Sequence, residues 1–190
     1  MPTKPGERKH QILQTLAAML EDPKAEKITT AALAKRLDVS EAALYRHFAS
    51  KAQMFEGLIE FIEQTLFGLV NKISAEEKSG TKQLEAVLTM LLGFAKKNPG
   101  MTKVLIGDAL VNEDERLQAR INQLHDRLES TLKQALRFAV SEKEIPEGVD
   151  ATAQANLMLA FVVGRWHQFA KSGFRRDPTE HWPAQWPMIL

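Results

Sequence analysis

The 190-residue sequence predicts an all-α fold, with a short N-terminal head followed by a larger helical body. Three observations support this prediction. Apolar residues recur at steps of three and four along most of the chain, which is the period of amphipathic helices. The alternation of apolar and polar residues that marks strands is absent from the sequence. Proline, glycine and polar clusters separate the periodic stretches, and they place the head at 1–52 and the body at 53–190.

The chain starts with an arm that contains two prolines and a glycine, followed by a predicted helix at about 7–20. Lys4, Arg8 and Lys9 make this end basic. These side chains can either stay solvated or contact a phosphate backbone. Pro23 then prevents the helix from continuing and delivers the chain to residue 28.

Residues 28–48, ITTAALAKRLDVSEAALYRHF, have the pattern of two short helices joined by a tight turn. Leu33, Ala34 and Leu37 recur at helical spacing in the first helix. Asp38 lies where the chain must reverse, and its short polar side chain tolerates a left-handed conformation. Ser40 is a natural N-cap for the second helix. This pattern is typical of a helix-turn-helix, whose second helix enters the major groove of DNA.

The second helix of the pair has a predicted buried side and a predicted exposed side. Leu44 and Phe48, four residues apart, are expected to pack inward. The side chains that remain for a major groove are Ala42, Tyr45, Arg46 and His47. We call this second helix the reading helix. Thr29 and Thr30 precede it and Lys51 follows it, so donors for phosphate oxygens lie on both sides. An ordinary helical hairpin in a core is the alternative reading of the same pattern.

Charge is distributed unevenly along the chain. Residues 1–52 contain nine Lys+Arg and six Asp+Glu, a balance of +3, and the remaining residues contain sixteen and eighteen, a balance of −2. The basic end therefore coincides with the helix-turn-helix. A phosphate-binding head on a neutral or acidic body would have this asymmetry.

The body is predicted to contain four long helices, one short helix and an ambiguous tail. Ser50 and Gln53 have the spacing of a capping box, and the helix after them extends to about residue 73. The others are expected at about 81–97, 101–110, 113–140 and 151–172, with Asn112 and Asp150 as caps of the last two. The tail, PTEHWPAQWPMIL, is compatible with a docked short helix and with a disordered end.

Small residues on the apolar face of the last long helix permit another helix to approach closely. We therefore expect the helices at 113–140 and 151–172 to form an antiparallel four-helix bundle with a second copy of the chain. The residues predicted in this dimer interface are Leu128, Leu157, Ala160, Phe161 and Gly164. Closure of an intramolecular core by the same faces is the alternative.

Several kinds of chemistry are not indicated by the sequence. The chain has no cysteine, which excludes disulfides and thiolate metal sites, and its five histidines are scattered. A Gly-rich phosphate loop, an HExxH motif and a nucleophile elbow are all missing. We therefore expect no enzyme activity, no metal and no cofactor. Because the sequence lacks an apolar signal region and an apolar run of about 18 residues, we expect a cytoplasmic protein without a membrane span.

The motif LYRHF-x-SK, which follows the turn near the N-terminus, resembles that of the TetR family of transcriptional regulators. The resemblance implies a TetR-like fold, in which a three-helix DNA-binding head precedes a dimerising helical bundle. One departure is Asp38, since such proteins usually have glycine there.

Three longer tracts are similar to the TetR-like proteins of nucleoid occlusion, namely ITTAALAKRLDVSEAALYRHFASKAQMFEGLIEFIE, LLGFAKKNPGMTKVLIGDAL and ERLQARINQL. This resemblance implies a nucleoid-associated homodimer on palindromic double-stranded DNA, with room for more than one dimer per site. It also implies that the DNA-bound protein inhibits assembly of the division GTPase FtsZ. The alternative is a conventional repressor that a small ligand in the bundle releases from DNA.

The same resemblance implies contacts residue by residue. DNA contacts are implied at Thr29, Thr30, Ser40, Tyr45, His47 and Lys51. An FtsZ surface is implied where the helix from 51 meets the helix from 81, and it includes Phe61, Met90, Gly93, Lys97 and Asn98. Leu69 occupies a position where these proteins can carry arginine, which indicates a weaker electrostatic contribution.

Overall fold

The computed structural model describes residues 5–22 and 28–190, with the side chains of 6–22 and 28–190. The predicted basic residue Lys4 and the helix breaker Pro23 lie outside these residues. Within them every regular element is a helix, which confirms the predicted fold class. The α-helices are α1 Pro5–Leu20, α2 Thr30–Arg36, α3 Glu41–Tyr45, α4 Lys51–Glu76, α5 Gly80–Lys97, α6 Pro99–Leu105, α7 Glu115–Ser141, α8 Ala151–Lys171 and α9 Trp182–Ile189, with a 3-10 helix at Asp108–Leu110.

The chain divides into two compact units, Met1–Ile62 with Asn98–Ile121, and Glu63–Lys97 with Asn122–Leu190. Both units combine segments that are distant in sequence. The predicted functional division after residue 52 is a different partition and stays a prediction. Among the described helices, none is both long and apolar enough to span a membrane.

In the first unit, α1 packs on α2 and on α6. Ile12, Leu16 and Leu20 of α1 are buried, as their helical spacing predicts. The approach of α6 is so close that a Cβ added at Gly100 would lie 2.0 Å from the carbonyl oxygen of Ala17. Only glycine fits at this crossing, since no relaxation of a side chain can remove a clash with backbone.

The second unit is built around a buried tryptophan. Trp166 of α8 has no accessible surface, and its indole Nε1 donates a hydrogen bond of 3.1 Å to the carbonyl oxygen of Leu91 in α5. The tail forms the docked helix α9, whose Trp182 Nε1 donates to Thr89 Oγ1 at 2.7 Å. Of the two alternatives for the tail, the docked short helix is therefore correct and the disordered end is wrong.

Some predicted helix ends are confirmed and others are wrong. Ser50 Oγ accepts from the amide of Gln53, so the N-cap half of the predicted capping box opens α4. Gln53 Oε1 accepts from the amide of Ala49, one residue before the position that a capping box requires. Asp150 accepts from two amides at the start of α8, as predicted. Asn112 is not the cap of α7, because it adopts a left-handed φ of 66° within the preceding turn. Asp114 accepts from the Arg116 amide instead.

The N-terminus of α5, at Gly80, is capped by a side chain from the loop between α7 and α8. Glu144 accepts hydrogen bonds from the amides of Thr81 at 2.8 Å and Gly80 at 3.0 Å, and from the hydroxyls of Thr81 and Ser79. These bonds, led by the Thr81 amide, lower the pKa of the Glu144 carboxyl from 4.5 to about 2. A carboxylate is also favoured here by the positive end of the helix dipole.

Glu144→Gln should lower the melting temperature at pH 7 by about 2–4 °C, since losing a helix cap costs about 1 kcal/mol. Because the folded-state pKa is depressed, the stabilisation is complete above about pH 4.5 and disappears as the pH falls towards about 2. Thermal unfolding by circular dichroism should therefore show a gap between wild type and variant that narrows with acid. Glu147→Gln, an exposed change in the same loop, is the control and should change little. A gap that is independent of pH would contradict the role of the charge.

Candidate nucleic-acid interface and partner surfaces

The turn between α2 and α3 is a Schellman motif centred on Asp38. Its φ is 53°, in the left-handed region where glycine is usual. The amide of Val39 donates to Ala34 O at 3.0 Å, and the amide of Asp38 donates to Lys35 O at 3.2 Å. These two bonds satisfy two of the carbonyls in the last turn of α2. The left-handed conformation predicted from the sequence is thus confirmed, with aspartate in place of glycine.

The reading helix α3 is short, and it is held by a cap and two buried side chains. Ser40 Oγ accepts from the amide of Ala43 at 3.2 Å, which confirms the predicted N-cap. Leu44 and Phe48 are buried, as predicted. The outer side then consists of the exposed residues Ala42, Tyr45 and Arg46 and the half-buried His47. Their contact with DNA stays a prediction.

The two threonines at the start of α2 make different hydrogen bonds. Thr29 Oγ1 caps α2 by accepting from the amide of Ala32, which leaves its own hydrogen available for a phosphate oxygen. Thr30 Oγ1 donates instead to Glu41 Oε2 at 2.6 Å and lies 3.5 Å from the hydroxyl of Tyr45. Thr30 therefore links α2 to α3 within the free protein.

Lys51, at the start of α4, forms an ion pair in this structure. Its Nζ binds Glu113 Oε1, and the two side chains are only 21% and 13% exposed. The ammonium also lies 5.6 Å from the centre of the Phe55 ring. To neutralise a DNA phosphate, Lys51 would have to exchange one anionic partner for another.

The residues predicted to bind a protein partner lie in both units. In the second unit, Met90, Gly93 and Lys97 lie three and four residues apart along α5, which places them on one face. A Cβ added at Gly93 would meet no heavy atom within 4 Å, so the surface is open there. In the first unit, Phe61 and Asn98 both line a depression of about 370 Å³.

The residues predicted for the dimer interface separate into two groups. Leu157 is 53% exposed, and Ala160 and Gly164 are exposed on the same face of α8. Leu128 is fully buried within its own chain, so its assignment to a surface contact was wrong. Phe161 is half-buried against Trp182 of α9, with ring centres 5.8 Å apart. Helical periodicity identified Leu128 and Phe161 as apolar positions, but it could not indicate which part of the protein covers each of them.

The sequence matches two family descriptions, "Bacterial regulatory proteins, tetR family" over residues 12–58 and "Tetracyclin repressor-like, C-terminal domain" of the SlmA-like type over residues 78–190. A protein of Alteromonas mediterranea named Nucleoid occlusion factor SlmA is 53% identical over 183 residues, which cover 94% of this chain and 92% of that protein. The chain belongs to the SlmA family of TetR-type regulators. The protein of that name from Marinomonas sp. strain MWYL1 is 48% identical over 189 residues, covering 100% and 96%.

Solved structures of more distant regulators share the fold of this SlmA family chain. A TetR family transcriptional regulator from Agrobacterium tumefaciens gives a TM-score of 0.79 at 17% identity, covering 98% of this chain and 97% of that one. The regulator PfmR from Thermus thermophilus gives 0.77 at 23% identity, covering 95% and 97%. At these identities the similarity concerns the fold alone.

Sequence reasoning did not identify the acidic partners of the interface in this SlmA family member. Glu41 and Glu113 hold Thr30 and Lys51, two of the predicted DNA contacts. Glu113 is 62 residues from Lys51, and helical periodicity carries no information over that separation. The charge balance of +3 over residues 1–52 does not indicate which side chains pair.

Glu113→Gln should strengthen DNA binding, since Lys51 would no longer have to leave a carboxylate. Because exposed and partly exposed ion pairs contribute up to about 1 kcal/mol, we expect a gain of up to about fivefold per protomer. The DNA affinities of wild type and variant are measured by fluorescence anisotropy with a palindromic duplex. Glu115→Gln, an exposed acid two residues later, is the control. Weaker binding by Glu113→Gln would mean that the carboxylate orients Lys51 for DNA.

Proposed function

We propose that this protein is a nucleoid occlusion factor that binds palindromic chromosomal sites as a homodimer and, when bound, inhibits assembly of FtsZ. The observation that carries the proposal is similarity at about half of all positions over 94% to 100% of the chain to proteins named Nucleoid occlusion factor SlmA. The similarity extends through the body of the chain. A protein that shared only the DNA-binding head with these relatives would not resemble them there. FtsZ is the division protein that such a factor would have to stop.

DNA binding by the head is supported by three features. The outer side of α3 is exposed, the turn before it is fixed by two backbone bonds, and the N-terminal 52 residues are basic. The DNA contacts we propose are Thr29, Thr30, Ser40, Ala42, Tyr45, Arg46, His47 and Lys51. Association with the nucleoid follows from this binding.

The α5 face supports the proposed FtsZ contact. The missing side chain at Gly93 leaves a shallow position between Met90 and Lys97. Lys97 is exposed, and no carboxylate pairs with it among the described residues, whereas its neighbour Lys96 binds Asp177 at 2.6 Å. An apolar side chain, an open backbone and an uncompensated cation suit an extended acidic peptide. Phe61 and Asn98 are proposed contacts in the first unit.

Gly93→Glu and Lys97→Asp should each weaken capture of FtsZ by at least about tenfold, because both introduce repulsion of an acidic segment. Neither change should affect folding, since the space at Gly93 is open and Lys97 is exposed. The measurement is pull-down of purified FtsZ by protein bound to a palindromic duplex. Gly148→Glu and Lys78→Asp are matched controls at an open glycine and an exposed lysine. Equal capture by wild type and the two test variants would reject the surface and favour the ligand-released repressor.

Gly164→Glu should prevent dimerisation, because a carboxylate buried without a partner costs several kcal/mol. The monomer should remain folded, as a Cβ at Gly164 meets nothing within 4 Å in the single chain. Analytical ultracentrifugation at micromolar concentration should give a dimer for wild type and Gly148→Glu, and a monomer for Gly164→Glu. A dimeric Gly164→Glu variant would move the interface away from this face of α8.

A further inference from the structure

A second feature of the head is a small depression with a basic rim. It has a volume of about 180 Å³, and its lining comes from α1, from the turn after α2 and from α3 with the residues just beyond it. The floor is apolar, since Ile12 and Leu44 are each 1% exposed. The rim carries Arg8 from α1, and Arg46 and His47 from the end of the reading helix.

The two arginines of this rim have no anionic partner within the described residues. Arg8 Nη1 donates to the neutral side-chain oxygen of Gln11 at 2.7 Å, which orients the guanidinium without neutralising it. None of the ion pairs in the described chain includes Arg46. Lys51 differs, because Glu113 already compensates it. Two guanidinium groups that line one depression without a counter-charge make it a favourable position for an anion.

The geometry points to a phosphate clamp: we propose that Arg8 and Arg46 together bind one phosphate of the DNA backbone at this depression, with His47 at its edge. The proposal rests on the proposed DNA binding. A guanidinium presents a planar fork of donors that matches phosphate oxygens. The clamp would change the role of Arg46, which was predicted to face the bases. As a backbone contact it would set the register of α3, leaving Ala42 and Tyr45 to distinguish sequences.

Salt dependence of DNA binding tests the clamp directly. Each neutralised phosphate contributes about −0.9 to the slope of log K against log salt, so losing one phosphate per protomer should flatten the dimer's slope by about 1.8. Arg8→Gln and Arg46→Gln should each produce most of this loss, by equal factors on a palindromic and an unrelated duplex. The double variant should add little, because both side chains hold the same phosphate. Arg176→Gln, an exposed change in the second unit, should leave the slope unchanged.

Three outcomes would overturn the clamp while leaving DNA binding intact. Arg46→Gln could alter the preference between duplexes at constant slope, which would return Arg46 to base reading. Arg8→Gln could leave the slope unchanged. Inorganic phosphate could raise the melting temperature of wild type but not of the variants, with all slopes equal, which would make the depression a site for free phosphate. Failure of the proposed function itself is distinct, because wild type would then show no steep salt dependence at all.

Discussion

The left-handed conformation of Asp38 is the constraint on which the reading surface depends. With φ at 53°, the amides of Asp38 and Val39 turn back onto α2, and the chain reverses within two residues. After this reversal α3 contacts α2, with Leu44 buried and Tyr45 exposed. A left-handed φ costs aspartate some conformational free energy that glycine would not lose. Glycine at position 38 would therefore favour the same turn more strongly than aspartate does.

Three acidic residues bind basic or polar groups that are distant in sequence. Glu41 holds Thr30, Glu113 holds Lys51, and Glu144 caps α5 from a loop more than 60 residues away. These contacts satisfy donors in the free protein. Among the described residues, Arg8, Arg46 and Lys97 are three of the cations that no carboxylate pairs with, and each lies on a surface proposed above for an anionic partner. Two of them lie in the head, where DNA is the proposed partner, and one lies on α5, where an acidic protein segment is proposed.

Local signals in the sequence predicted the helices and most of their ends. Ser40 and Asp150 are caps because a short polar side chain can reach amides two or three residues away, which depends only on local spacing. The same logic failed at Asn112, since Asp114 was an equally good local candidate. For the site, exposure at Tyr45 and Arg46 followed from helical period, but the partners of Thr30 and Lys51 depend on tertiary packing. Leu128 shows the same limit, because periodicity identifies an apolar face and not what covers it.

The most direct test of this account is FtsZ assembly with GTP, followed by light scattering, in the presence of this protein with and without a palindromic duplex that it binds. The duplex alone serves as the control. We expect the DNA-bound protein to suppress FtsZ assembly at concentrations where the free protein has little effect. Undiminished assembly in the presence of the DNA-bound protein would contradict it.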